Sequence, residues 1–280
     1  MNRKPGLLQR LIARFRKWRA TPVVSVLRLQ GVISPGGSAP FRPAALNLAA
    51  LESRIEQAFR PKRLAAVALV INSPGGSPVQ SALIAARIRR LSEEKKVPVF
   101  AFVEDVAASG GYWLATAADE IIVDRGSLVG SIGVISAGFG LHDLIGRYGI
   151  ERRVHTAGRS KSLLDPFRPE KPEDVARLEG WLEQLHGYFI DHVKSRRGAR
   201  LKDNPDLFTG EIWIGERAVE QGLADGVGHL VPTMKARFGD KVRFRRYGQR
   251  RGLLARFGSA LTGEALAQVE ERAAFARFGL

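Results

Sequence analysis

Between residues 64 and 124 the chain alternates between short runs that are apolar at nearly every position and longer stretches in which apolar residues recur every three or four. The runs are "LAAVALVI" (64–71), "VPVFAFV" (97–103) and "EIIVD" (120–124), and between them lie "VQSALIAARIRRLSEE" and "GYWLATAAD". Strands that are apolar on both faces, separated by helical segments, predict an α/β architecture with a mostly parallel sheet flanked by helices. Upstream, "TPVVSVLRLQGVIS" (21–34) predicts an opening strand or hairpin, 35–43 a loop, and 44–59 a helix that Pro61 stops. Downstream come a stretch rich in Gly and β-branched residues (125–140), a short helix "LHDLIGRYG" and a strand "ERRVHTA" (151–157). The longest pattern runs from Pro172 to about Lys194, where Leu178, Trp181, Leu182, Leu185, Tyr188, Phe189 and Val193 form one helical stripe. "GEIWIGERAVEQGLADGVG" then predicts strand, helix and turn. The expected organisation is a basic segment at 1–20, one body at 21–235 and a basic extension at 236–280.

Composition narrows the chemistry. The chain of 280 residues is 45% hydrophobic and 26% charged, which is ordinary for a globular protein with a real core. It has no cysteine, so thiolate nucleophiles, disulfides and cysteine-bound zinc are excluded. Its five histidines show no metal-ligand spacing, and neither a metal nor a cofactor is expected. Net charge is +16 and concentrated at the ends: no acidic residue precedes Glu52, and a second cluster runs from Lys241 to Arg256. Basic termini around a balanced body suit an anionic surface. In "GLLQRLIARFRKW", Leu7, Leu8, Leu11, Ile12, Phe15 and Trp18 share a helical face, the pattern of a helix lying in a membrane interface or docked on the body or another subunit. It is too short and too charged to span a bilayer or to form a secretory signal. Nucleic acid is the weaker partner, since no recognition motif accompanies the charge.

Two glycine loops, "INSPGGS" (71–77) and "ASGGY" (108–112), follow consecutive buried strands. Loops at the carboxyl ends of parallel strands open on one edge of a sheet, so these two can face each other. Ser109, at the start of a helix, would expose its hydroxyl beside a free backbone N–H, with Gly75 and Gly76 bringing a second donor. Two such donors can hold the negative oxygen of a tetrahedral intermediate. A serine nucleophile also needs a base. His142 and His155, with Asp143 or Asp165 as orienting carboxylates, are candidates, and so is Lys161 in "TAGRSKSLLDPFRP". Among small and apolar neighbours a buried lysine would lose hydration and give up its proton more readily.

Taken in order, "INSPGGS", "VEDVAASGGYWLATAADEIIVDRGSLVGSIGVI", "AGRSKSLLDPFRP" and "FTGEIWIGERAVEQGLADGVG" resemble the signal peptide peptidase A family of serine peptidases, over roughly residues 22–232. The resemblance implies the Clp protease/crotonase-like fold and a Ser-Lys dyad, with Ser109 as nucleophile and Lys161 as general base. It further implies oxyanion N–H groups on Gly76 and Gly110, and a hydrogen bond from Ser131 that holds the lysine amine. It implies extended, apolar peptide substrates and a homo-oligomer, and leaves open whether serine and lysine come from one protomer or two. Members of the family commonly carry a membrane-spanning N-terminal helix, whereas this chain shows only the basic amphipathic segment. The expected location is therefore cytoplasmic, peripheral at the inner membrane face. A crotonase-like acyl-CoA enzyme and a catalytically idle membrane-associated scaffold are the alternative readings.

Overall fold

The computed structural model describes residues 21–36, 45–158, 160–248 and 273–279. The basic amphipathic segment expected at 1–20 lies outside the described residues.

The three all-apolar runs are strands of one sheet. β1 (Val23–Gln30) pairs in parallel with β2 (Leu64–Ser73), which pairs in parallel with β3 (Val99–Ala108). The stretch at 21–34 is thus one strand rather than a hairpin, and its partner across the sheet is 42 residues downstream in register, Val26 opposite Ala68. Beyond β3 the sheet divides. The first half of β3 pairs with β4 (Glu120–Val123), and its second half, Val106–Ala108, pairs with β5 (Leu128–Gly130). β6 (Ile212–Ile214) adds to β5 antiparallel, and β7 (Gly226–Val227) adds to β4. The sheet does not stop at residue 235: β8 (Arg243–Tyr247) pairs in parallel with β1, so part of the stretch expected to be a basic extension forms the sheet's edge.

Helices cover both faces. α1 (Leu48–Ala58) starts where the Asn47 side chain accepts the Ala50 N–H at 2.9 Å, a cap that shortens the helix expected from residue 44. α2 (Pro78–Lys95) begins with proline at its first position and ends at Lys96 in a left-handed conformation. With α3 (Gly110–Ala115) these helices bury Ile55, Ile84, Ile88 and Leu114 against Leu27, Leu69 and Ile71. The opposite face packs Val24, Ala68 and Phe102 on α7 (Leu230–Phe238), where Met234 is fully buried and Phe238 meets Phe100 edge-on at 6.3 Å. Between these, α4 (His142–Arg147), α5 (Pro172–Arg197) and α6 (Glu216–Glu220) follow in chain order.

One buried ion pair ties the end of α5 to the body. Arg197, 3% exposed, donates to both carboxylate oxygens of Asp225 at 2.8 and 3.0 Å and to the Gly222 carbonyl at 2.8 Å. Asp225 also accepts the Ile121 N–H, so the charge pair is satisfied on both sides. The stretch "ERRVHTA", expected as a strand, has no regular structure: residues 151–156 are mostly exposed and pair with no strand among the described residues. Its alternation reflects local ion pairing instead, Arg153 with Glu151 and Arg152 with Asp165.

Candidate active site

Ser109 stands at the corner between β3 and α3, with φ 51° and ψ −121°. Positive φ is costly for a residue with a Cβ, on the order of 1–3 kcal/mol, and persists only where the surroundings over-determine it. The determinants here are visible. The Ser109 N–H donates to the Gly130 carbonyl at the end of β5 (2.8 Å), and its carbonyl accepts the Trp113 N–H to open α3 (3.0 Å). A serine held in this way at a strand-to-helix turn projects its hydroxyl off the sheet edge.

The second glycine loop lies directly on this corner. A Cβ on Gly75 would fall 2.7 Å from the Ala108 carbonyl oxygen, 2.8 Å from the Gly110 nitrogen and 2.9 Å from the Ser109 Cβ. The loop is pinned from the other side, since Ile33 donates to the Gly75 carbonyl and accepts from the Ser77 N–H, both at 2.8 Å. That pairing turns the intervening Gly76 N–H away from Ile33. A Cβ on Gly110 would lie 2.4 Å from the Ser81 hydroxyl and 3.4 Å from the Gly76 nitrogen, so the two glycines are neighbours. The Gly110 N–H belongs to the first residue of α3 and has no intrahelical acceptor. Among the described residues neither the Gly76 nor the Gly110 N–H is hydrogen-bonded.

Ser109, Gly76, Gly110 and Ser131 all line one cleft of about 660 Å³. Ser131 follows β5 with φ 49°, and its N–H is held by the Glu211 carbonyl at 2.8 Å. Lys161 is not among the lining residues. It sits in a turn, its N–H bonded to the Gly158 carbonyl at 3.2 Å, and it is exposed rather than enclosed by apolar neighbours. The histidine candidates are not in the cleft either. His142 lies beside Asp143 at 3.4 Å, and Asp165 is engaged by the Phe167 N–H and by Arg152, which hold its carboxyl below the usual range.

The cleft's apolar wall comes from α3 and α5. Leu178, Trp181, Leu182, Leu185 and Phe189 of the long stripe line the cleft, and in α5 only Phe189, Val193 and Arg197 are buried. Trp113, not singled out from the sequence, stacks with Phe189 (4.9 Å) and with His192 (4.5 Å). Its signal was its place one helical turn after Ser109, on the same face. His192 shares a 2.8 Å hydrogen bond with the Thr116 hydroxyl. Burial, with Arg196 nearby, holds its pKa down to about 4, so the ring is neutral at neutral pH. Arg277 and Phe278, remote in sequence, also reach the cleft.

The model of peptidase family S49 matches residues 92–237. A Brucella melitensis protein named Na(+)/H(+) antiporter NhaA is 48% identical over 99% of this chain, and the match covers 39% of that protein. The chloroplastic serine protease SPPA of Arabidopsis thaliana is 34% identical over 74% of this chain and 29% of its own. Protease 4 of Haemophilus influenzae is 31% identical over 79% of this chain and 35% of its own. The chain thus corresponds to well under half the length of these relatives. A solved membrane-bound stomatin-specific protease superposes with a TM-score of 0.51 at 16% identity, covering 82% of this chain and all of the other, which shows the shared ClpP/crotonase-like fold. The family match takes in β3, the Ser109 corner, Ser131 and Lys161, and on that ground the chain belongs to peptidase family S49.

Proposed function

We propose that the chain is a serine endopeptidase in which Ser109 attacks the carbonyl of an extended apolar peptide. One observation carries the reading: a serine in strained backbone at a strand-to-helix corner, with two unengaged N–H groups, those of Gly76 and Gly110, in the same cleft. In the proposed reaction the Ser109 proton passes to the unprotonated amine of Lys161 as the hydroxyl oxygen bonds to the peptide carbon. The two N–H groups receive the oxyanion, the C–N bond then breaks, and the lysine returns its proton to the leaving amine. Water, deprotonated by the same amine, attacks the resulting ester and frees Ser109. Ser131 would orient the amine as a neutral partner, one that does not favour its charged form. No metal or cofactor takes part in these steps.

In the single chain Lys161 is exposed and outside the cleft, so we assign the amine at each Ser109 to a second copy in a homo-oligomer. The segment that carries Lys161 supports this, because Ile135, Phe139, Tyr148 and Ile150 are exposed along it. Burial against a neighbour would strip water from the amine, the condition for a lysine base. Apolar side chains on α5 and α3 favour signal peptide remnants or other membrane-derived peptides, bound as strands along the cleft edge.

We place the protein at an anionic bilayer surface on the cytoplasmic side, held by its basic termini, rather than on nucleic acid. Among the described residues no helix is long and apolar enough to cross a membrane. In the Brucella relative the equivalent stretch belongs to a longer chain named for ion exchange across a membrane, which favours the bilayer.

The deciding experiment assays a fluorogenic peptide with Ser109→Ala, with Lys161→Ala, and with the two mixed. Each variant alone should lose about 10⁴-fold or more in turnover, with the fold intact by circular dichroism. Recovery on mixing would establish a dyad shared between copies. Activity retained in Lys161→Ala would remove the lysine from the mechanism.

A further inference from the structure

Where β2 runs out into the first glycine loop, its ladder with β1 meets a residue that cannot continue it. The Gly31 N–H donates to the Asn72 carbonyl at 3.0 Å, and in a parallel ladder the next bond returns from the N–H of residue 74 to the Gly31 carbonyl. Residue 74 is proline and has no N–H. Backbone pairing resumes only at Ile33, which lies opposite Gly76 and bonds Gly75 and Ser77. Between the two points the loop carries one residue more than β1 does, a bulge that leaves the Gly75 N–H without a ladder partner.

The Ser73 side chain closes this gap. Its hydroxyl donates to the Gly31 carbonyl at 2.7 Å, in place of the missing N–H, and accepts the Gly75 N–H at 3.2 Å. Ser73 is fully buried, and Gly31 and Gly75 are buried too, so neither group can turn to water instead. The same residue meets the second loop. A Cβ on Gly111 would lie 2.3 Å from the Ser73 carbonyl oxygen and 3.2 Å from the Ser73 Cβ, so the first turn of α3 rests on it.

We propose that Ser73 is a positioning residue for the two oxyanion donors, with its buried hydroxyl setting where the Gly76 N–H points. The proposal rests on the peptidase reading for its kinetic consequence but not for the hydrogen bonds. Ser73 does not line the cleft and touches no substrate. It acts through Gly75 on the direction of the Gly76 N–H, and through Gly111 on the spacing to the Gly110 N–H. Such donors are effective because they are in place before charge develops. Without the hydroxyl, the loop from Asn72 to Ser77 keeps its ends and loses the bond that fixes its middle.

Variants of the full chain separate positioning from stability. With a fluorogenic apolar peptide, Ser73→Ala should lower kcat about ten- to hundredfold and leave KM within about twofold, as expected for an interaction felt only in the transition state. Ser92→Ala is the stability control: that hydroxyl is also buried and donates to the Val97 carbonyl at 2.7 Å, at the far end of α2. It should lower Tm as Ser73→Ala does and keep the wild-type kcat. Unchanged kcat in Ser73→Ala, a loss that lies in KM, or an equal loss in Ser92→Ala overturns the proposal. Ser73→Cys, close in size but a much weaker hydrogen-bond partner, covers an alanine variant that does not fold. Its kcat should fall at least about fivefold, and a wild-type value overturns the proposal. Hydrogen exchange of the wild-type chain, resolved by residue with mass spectrometry, tests the contact without turnover. The Gly75 amide should exchange at least about a hundredfold more slowly than the Gly76 amide. Equal rates overturn the proposal, whereas a slow Gly75 amide in a chain that cleaves no peptide would overturn the peptidase reading and leave the hydrogen bonds standing.

Discussion

Two regions supply the proposed dyad, and they are built on opposite principles. The Ser109 corner is fixed by backbone: β5 holds its amide, Gly75 lies so close to Ala108, Ser109 and Gly110 that no Cβ fits between, and Ile33 clamps the glycine loop from behind. The stretch from 133 to 170 is fixed by little. α4 has no buried residue, Phe139 is 86% exposed and Tyr148 75%, and side chains added at Gly138, Gly146, Gly149 or Gly158 would meet nothing within 4 Å. Its internal ties are local, such as Arg152 to Asp165 and the Leu141 N–H to the Pro166 carbonyl. The contrast teaches where precision is stored. Oxyanion donors must be in place before charge develops, so they belong to the rigid core. A base carried on a segment without a core needs an outside surface to position it, which in the proposed reading is a second copy.

The largest effect should follow from breaking the rigid half. Gly75→Ala places a Cβ within 2.9 Å of the Ala108 carbonyl, the Gly110 nitrogen and Ser109, at φ 102°. Neither the strand end nor the helix start can yield without moving the other. Stability should fall by on the order of 3 kcal/mol, read as a lower Tm. Labelling of Ser109 by a serine-reactive probe should fall at least about hundredfold, the scale of a displaced reacting group. A variant with unchanged Tm and labelling would show that the two loops do not constrain each other.

The same contrast explains what could be read from sequence. The buried strands were legible because β2 and β3 are apolar at nearly every position, and the Ser109 loop was legible because glycines follow such strands directly. The division of the sheet at β3 was not, since nothing in "VFAFVEDVAA" says that its halves take different partners. β8 was hidden because Arg243, Arg245 and Arg246 mask an edge strand as a charge run. The α5 stripe was found as a helix, but periodicity cannot distinguish a face that packs on a core from one that lines a cleft. Tertiary placement decided that: only Phe189, Val193 and Arg197 of that helix are buried. The exposure of Lys161 was equally unreadable, since small and apolar neighbours in sequence do not enclose a side chain unless the chain folds back over it.

A middle-sized effect should appear with pH on the cleft wall. His192 has its pKa lowered to about 4 in the folded chain, against about 6.5 when unfolded, so the unfolded state takes the proton first. The stability this contributes is complete above pH 6.5 and is lost as pH falls toward 4. The loss should be on the order of 1–2 kcal/mol once screening by nearby solvent is allowed for. His192→Gln should flatten that part of the stability curve, while the pH profile of turnover, governed in the proposed reading by the dyad, keeps its shape. A curve equally steep with glutamine would assign the slope to other groups.

The smallest effect on the chain itself belongs to the open segment, and it is the most informative about assembly. Phe139→Ser removes a ring that is 86% exposed among the described residues, so unfolding free energy should change by less than about 0.5 kcal/mol. If a second copy covers this segment, the ring is an interface group, and its loss weakens association through k_off rather than through folding. Activity of Phe139→Ser should then drop at low protein concentration and recover as concentration rises, with sedimentation showing smaller particles at the same dilution. Unaltered particle size and concentration-independent activity would mean that no neighbour rests on Phe139. A substantial fall in Tm would mean that the ring is not free in its own chain, and the division between a rigid corner and an unsupported segment would have to be redrawn.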